Sequence, residues 1–537
     1  MWADEGPERR VVSMDLGTIV RQTGWMHRDN RAVQYEGRTL TWGEVLDRAS
    51  RLANALSSRG VAPQERVAVL ADNVYETVEI NCACALGNTP IATLYTYYSI
   101  DTNIYLLGRI GARVLIVDPA HLAQVESRLA ELPDLEVVLV LGDEGAPGLE
   151  RYDDALAAAS ADVPEVLAKP EDVHIIRFSS GTTGKPKGIY YDVRGWLAYN
   201  SEWRWRTPQL TEHDVYLAAG SLAHLNVAYL WGMIAVGATI APMGRFEPAE
   251  FGRLVEELGA TYTAMVPTMI QKVLADDSAA ARDYSSLRCL TYAGSPISPS
   301  TMRGAMEVFG PVLHQMYAQS EVAPLCMLMP WEHVLEGDEK QARRLRSAGR
   351  PSPNVVVTIV DDDGRPLPQG QVGEVAAWSP GAMSGIWGDE DASARRFLPD
   401  GSVLTRDMGY LDEDGYLFLA DRKDDMIISG GYNIWPLELE DLLTQHPGVS
   451  AACVVGVPHE VWGETPLAAV VRAEGEDGRA VTEDELIAIS RDRLGKVKRL
   501  SRVVFVDALP VSEAGKVQRS VLRAPYWEGR DQQIGGA

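Results

Sequence analysis

The chain has little cysteine, a deficit of positive charge and no long apolar run, and each scarcity excludes something. Its five cysteines in 537 residues fall at 82, 84, 289, 326 and 453. The number is odd and the positions are scattered. Cys82 and Cys84 are too close for ordinary disulfide geometry, and no His or Cys stands near them at zinc spacing. Free, buried thiols in a reducing cytoplasm are therefore expected. No apolar run reaches the roughly 18 residues of a membrane-spanning helix, and the first ten residues hold no apolar signal core. A cytoplasmic protein without a membrane span is the expectation. Against 75 Asp and Glu stand 50 Lys and Arg, a net charge of −25. Such a field repels nucleic acid and anionic membranes, so neither is an expected partner. It repels polyphosphates too, so a site for them must gather its own Lys and Arg. No internal repeat is present, and Asp361-Asp-Asp-Gly364 and Asp412-Glu-Asp-Gly415 lack the spacing of a calcium loop and read as hairpin turns.

A chain of this length suggests roughly three to four domain-sized units, and it can bury a large core. Apolar residues recur with helical period over 42–60, a strand follows at Arg66–Ala71 and a helix at Thr77–Leu86. Further β-rich runs at 113–117 and 136–141, and alternating strands and helices over 251–292, predict an α/β fold with a largely parallel sheet. From about residue 350 short strands at 355–360, 373–378 and 415–420, separated by Asp/Gly turns, predict a β-rich subdomain. A third texture starts near 424: a helix at 437–443, strands at 452–457 and 467–472, a helix at 482–494 and a strand at 502–506. The expected organisation is an N-terminal domain over 1–423, with its β-rich subdomain at about 350–423, hinged to a small α+β domain over 424–537.

The most informative stretch is Phe178-Ser-Ser-Gly-Thr-Thr-Gly-Lys-Pro-Lys-Gly188, preceded by the strand-like Val173–Phe178. Backbone N–H groups, hydroxyls and two ammonium groups converge there, which describes a polyphosphate holder. It is no Walker A loop, because after Gly181 and four intervening residues stands Pro186, where that pattern needs Gly. The order of residues resembles the phosphate loop of the adenylate-forming superfamily: acyl-CoA synthetases, luciferases and peptide-synthetase adenylation domains. Five further stretches, Tyr292–Pro296, Gln315–Glu321, Thr405–Gly415, Asp421–Gly431 and Leu509–Arg519, resemble that superfamily in its order and spacing. Together with the loop they span most of the chain.

The resemblance implies ATP, Mg²⁺ and coenzyme A as cofactors and a small carboxylic acid as substrate. Ser179, Ser180, Gly181, Thr182, Thr183, Gly184 and Lys187 would hold the leaving phosphates, with Thr183 also counted as catalytic. Gly294, Ser295 and Pro296 would face adenine and the acyl group. Tyr317 would stack on adenine, Ser320 reach the α-phosphate, and Glu321 hold Mg²⁺. Asp407 would accept from the ribose hydroxyls, and Arg422 contact ribose or phosphate. Asp424 would be the hinge, and Gly430 and Gly431 would pass beside the thiol arm of coenzyme A, where a side chain would clash. Lys516 would bridge the acid and the α-phosphate. Ala318 and Arg406 stand where the superfamily has glycine, and Ser320 where it has threonine.

The acyl pocket implied is His224 as gate with Val227, Ala228, Ala293, Gly294, Gln315 and Met316 as lining. A histidine there is also explained by plain core packing. No Asp occurs between Ala218 and Val236, where amino-acid-activating relatives bind the α-amino group, so a simple carboxylic acid is expected. Trp196, Trp203 and Trp205 read first as core. The function implied is an acid–CoA ligase that forms an acyl-adenylate with pyrophosphate release, then a thioester after the small domain rotates. Two alternatives stay open: an adenylating enzyme serving another nucleophile, such as a carrier-protein thiol or an amine, and a nucleotide-binding regulator without catalysis. A homodimer is compatible with this reading.

Overall fold

The computed structural model describes residues 15–142, 147–179, 186–295, 297–422, 425–429, 432–459, 462–495, 498–511 and 517–528. Two large sheets dominate. The first has eight strands, with Ile91–Thr93, Arg66–Leu70, Ala112–Val117 and Val137–Val140 parallel at its centre. The second has nine, with Val215–Ala218, Thr239–Pro242, Tyr262–Met265, Cys289–Ala293 and Leu313–Tyr317 parallel. Val67–Leu70 and Leu115–Val117 are buried throughout, as parallel strands covered on both faces must be; this is why they read as continuous apolar runs.

Helices Trp42–Ser58 and Glu76–Gly87 pack on one another. The first opens with a capping box, Thr41 accepting from Glu44 N and Glu44 returning the bond to Thr41 N. The second is buried almost all round, Glu79 included. Arg48 Nε and Nη2 donate to the Glu79 carboxylate at 2.6 and 2.9 Å, and Tyr152 Oη donates at 2.8 Å. A charge at that depth is retained only because it is paired.

An antiparallel sheet follows: Val356–Val360, Gly373–Trp378, Val403–Leu411 and Leu417–Arg422. Both Asp-rich turns are hairpin turns: Gly364 N donates to Asp361 O and Gly415 N to Asp412 O, both at 3.0 Å. The left-handed φ of +76° and +81° at these glycines explains their placement. The predicted strand at 415–420 is corrected to Leu417–Arg422, because Gly415 belongs to the turn. Val357, Val375, Val403 and Leu417 of this sheet share one apolar cluster with residues of both large sheets. Ile427–Ser429, Tyr432–Ile434, Val449–His459, Gly463–Arg472 and Arg502–Phe505 build a five-stranded sheet with its own core around Leu439, Val454, Val470 and Leu486. These elements agree with the predicted α/β class and its smaller α+β unit.

All five cysteines are free and buried, and burial pushes the Cys289 thiol up to about 11. Trp196 and Trp203 are core residues, but Trp205 is 61% exposed; it ends a one-turn 3-10 helix, which turns it away from the face its neighbours bury. No described helix is long and apolar enough to cross a membrane.

Candidate active site

The phosphate-loop motif sits on a hairpin. Val173–Ser179 pairs antiparallel with Lys187–Asp192, and Ser179 lies opposite Lys187. The loop therefore returns as a strand, without the helix that follows a Walker A loop. Its neck is fixed by Tyr95 Oη, which donates to Phe178 O at 2.9 Å. Ser180, Gly181, Thr182, Thr183 and Gly184 lie outside the described residues, as do Pro296, Asp424, Gly430, Gly431 and Lys516.

Most other candidates gather at the C-terminal ends of the nine-stranded sheet, where parallel sheets commonly bind ligands. Tyr292 pairs with Gln315 and Ala293 with Met316. Gly294 and Ser295 leave the strand end, Gly294 with φ +92°, a conformation costly for any side chain. Gln315 Nε2 donates to Ser347 O at 3.0 Å, and its Oε1 accepts from Tyr292 Oη at 3.2 Å. Val227 and Ala228, in the first turn of the helix Val227–Val236, share one apolar cluster with Ala293 and Met316. His224 precedes them on a loop that Asn73 holds: Asn73 Nδ2 donates to Ala218 O, Gly220 O and Met243 O at 3.0–3.2 Å, and its Oδ1 accepts from Leu222 N at 3.0 Å. Half-buried, the His224 ring lies 5.8 Å from that of Tyr95.

Beyond the strand end the chain runs through Tyr317, Gln319, Ser320 and Glu321. Tyr317 Oη and Gln319 Nε2 both donate to Asp407 Oδ2, each at 2.6 Å. Burial first, and then the Asp407 carboxylate, push the Tyr317 hydroxyl well above its ordinary range, so it remains a donor. Arg422 stands opposite Asp407 in the strand register. Ser320 O accepts from Tyr191 Oη at 2.7 Å. Glu321 Oε1 accepts from Arg396 Nη2 at 2.8 Å, while Oε2 has no partner among the described residues. An open carboxylate oxygen suits a hard divalent cation, so the residues present fit Mg²⁺.

Arg406 explains its own departure from glycine. The register between Gly373–Trp378 and Val403–Leu411 shifts here, a bulge, and Arg406 adopts φ +63°. Its N–H donates to the buried Glu374 carboxylate at 3.0 Å, and Thr405 Oγ1 donates to Val375 O at 2.7 Å. The bulge survives the substitution at the expense of backbone strain. Arg406→Gly should therefore raise the stability of the chain by about 1 kcal/mol, read as a higher urea midpoint. A lower midpoint would mean that the arginine's contacts outweigh the strain.

On either side of the undescribed residues 512–516, Val511 and Val517 form an antiparallel bridge, and Gln518 N donates to Pro510 O at 2.8 Å. Arg519, the last residue of that motif, donates to Glu440 Oε2 at 2.7 Å and to Asp425 Oδ2 at 3.2 Å. These bonds tie the start of the helix Arg519–Trp527 to the small domain. Three residues escaped the sequence reading: Asn73, Gln319 and Arg396. Gln319 lies inside a recognised motif and was readable in principle; the other two belong to no motif and meet the site only through the fold.

Sheets, hairpin and the hydrogen-bonded Tyr317–Gln319–Asp407 group make an α/β scaffold with polar side chains gathered beyond a sheet end. The AMP-binding enzyme family matches residues 20–387, and the AMP-binding enzyme C-terminal domain matches 438–516. The chain belongs to this adenylate-forming family, and its nucleotide is ATP. It is 33% identical over 522 residues to a medium/long-chain-fatty-acid–CoA ligase of Mycobacterium tuberculosis, covering 94% of this chain and 89% of the relative. To a fatty acid–acyl-carrier-protein ligase of Streptomyces coeruleorubidus it is 33% identical, covering 96% and 98%. An amide bond synthetase of Marinactinospora thermotolerans superposes with a TM-score of 0.85 at 30% identity, covering 95% of this chain and 100% of the other. The predicted family and fold class are borne out.

Proposed function

We propose that this chain is an acid–CoA ligase. A substrate carboxylate oxygen attacks the α-phosphorus of ATP, the bond to the β,γ-diphosphate breaks, and pyrophosphate leaves. The thiol of coenzyme A then attacks the acyl carbon, loses its proton, and AMP departs with the carboxylate oxygen. Both reactants of the first step are anionic, so the chief tasks are neutralisation and alignment. The observation that carries this reading is the convergence of Tyr317, Asp407 and the open Glu321 oxygen at one sheet end.

In this reading Asp407 accepts from the ribose hydroxyls, with Tyr317 and Gln319 holding its Oδ2 and setting its rotamer. Arg422, opposite Asp407, adds positive charge. Ser179 and Lys187 close the neck of a loop whose Ser180, Gly181, Thr182, Thr183 and Gly184 take the departing phosphates. Glu321 would hold Mg²⁺, which would supply positive charge against the phosphates. Lys516 aligns the acid, and after rotation about Asp424 the Gly430–Gly431 segment admits the thiol arm. His224, Val227, Ala228, Ala293, Gly294, Gln315 and Met316 surround the acyl group, which is a simple acid because no Asp stands between Ala218 and Val236.

The second reading, transfer to a carrier-protein thiol or an amine, has one support: the relatives include a carrier-protein ligase and an amide bond synthetase. A panel of aliphatic and aromatic acids, assayed for pyrophosphate release and then for thioester by mass with coenzyme A present, decides between them. The expected result is acid-dependent release in both conditions and a thioester mass only with coenzyme A. Adenylate accumulation without thioester would favour the second reading.

A further inference from the structure

Arg396 is the one residue whose side chain meets the Glu321 carboxylate among the described residues, and no motif includes it. The pair is enclosed, with 13% and 15% of the two side chains exposed. Both partners are held by their backbones. Glu321 O accepts from Met383 N at 2.8 Å, and Val322 bridges Ala382. Arg396 O accepts from Leu404 N at 2.8 Å, three residues before Asp407, and Phe397 bridges Val403. The contact is single: Nη2 donates to Oε1, and among the described residues Oε2 and the buried Arg396 Nε have no partner. A fork-on-fork pair would have engaged both carboxylate oxygens.

We propose that Arg396 is a positioning residue that occupies one oxygen of Glu321, leaves the carboxylate only one oxygen for a metal, and so favours Mg²⁺ over larger cations. The proposal rests on the reading of Glu321 as the metal carboxylate. Its physical basis is coordination. Mg²⁺ is small, demands near-octahedral geometry and keeps several waters, so one carboxylate oxygen serves it well. Ca²⁺ takes more oxygens in a looser shell and readily uses a carboxylate through both. A guanidinium seated on Oε1 blocks that bidentate mode and fixes the direction in which Oε2 points.

The test compares the affinities of the full-length chain for Mg²⁺·ATP and Ca²⁺·ATP by calorimetry, without acid or coenzyme A. In Arg396→Met the preference for Mg²⁺·ATP should shrink by about tenfold, the usual scale for removing a residue that orients a metal ligand. Arg396→Lys, which keeps the charge and the donor, should restore part of it. An unchanged ratio, or equal weakening of both complexes, overturns the proposal. Glu321→Ala is the separate control. If it leaves both affinities untouched, Glu321 holds no metal and the underlying reading fails. If it abolishes the preference while Arg396→Met does not, only the role of Arg396 fails.

Discussion

Lys516→Ala should lower acyl-adenylate formation by about a hundred- to a thousandfold, the scale for removing one preorganised charge-stabilising donor. Thioester formation from supplied acyl-adenylate should stay within a few-fold of the parent. The argument is electrostatic. With a net charge of −25, this chain repels both a carboxylate and a triphosphate, and they must meet within bonding distance. An ammonium between them lowers the barrier to that step alone. The thiol step starts from an adenylate in which those two charges have already become one covalent mixed anhydride. Neither the Val511–Val517 bridge nor the Arg519–Glu440 pair uses residue 516, so the fold should tolerate the substitution. Pyrophosphate exchange measures the first step and mass detection of the thioester the second. Equal losses in both would remove the role assigned to Lys516.

Asp407→Ala should cost about a hundred- to ten-thousandfold in kcat/KM for ATP, because hydrogen bonds to a charged acceptor contribute about 1.5–3 kcal/mol each and the proposed role gives Asp407 two ribose hydroxyls. It should also lower stability by about 1–3 kcal/mol, since the Tyr317 hydroxyl and the Gln319 amide lose their acceptor. A substrate lacking both ribose hydroxyls separates the two effects. The parent should lose with it what the variant has already lost, and the variant should lose little more; this non-additivity is the mark of a direct contact. Fully additive losses would show that Asp407 supports the site without touching ribose. Asp407→Asn should keep much of the stability, because its side-chain oxygen still accepts from Tyr317 and Gln319.

The motifs carrying the family were legible because their chemistry is local. A glycine-rich run, a hydroxyl and a carboxylate at fixed spacing, and a Gly-Lys pair before Arg519 can be read from the chain in order. The parallel strands were legible because burial on both faces makes them continuous apolar runs, as at Arg66–Leu70 and Ala112–Val117. Arg406 shows the limit. Sequence exposed a side chain where glycine is expected, and only the bulge with φ +63° showed that the local path is kept.

From the order of residues alone came the family, the α/β class with its smaller α+β unit, the nucleotide and the acids, hydroxyls and bases proposed to act. Periodicity and short motifs are properties of near neighbours along the chain. Tertiary structure alone decided which groups meet across long intervals: Tyr317 and Gln319 on Asp407, Arg396 on Glu321, and Asn73 under the His224 loop. Those contacts join residues 75 to 149 positions apart. Their partners are set by sheet order and strand register, which pattern reading along a single chain does not contain.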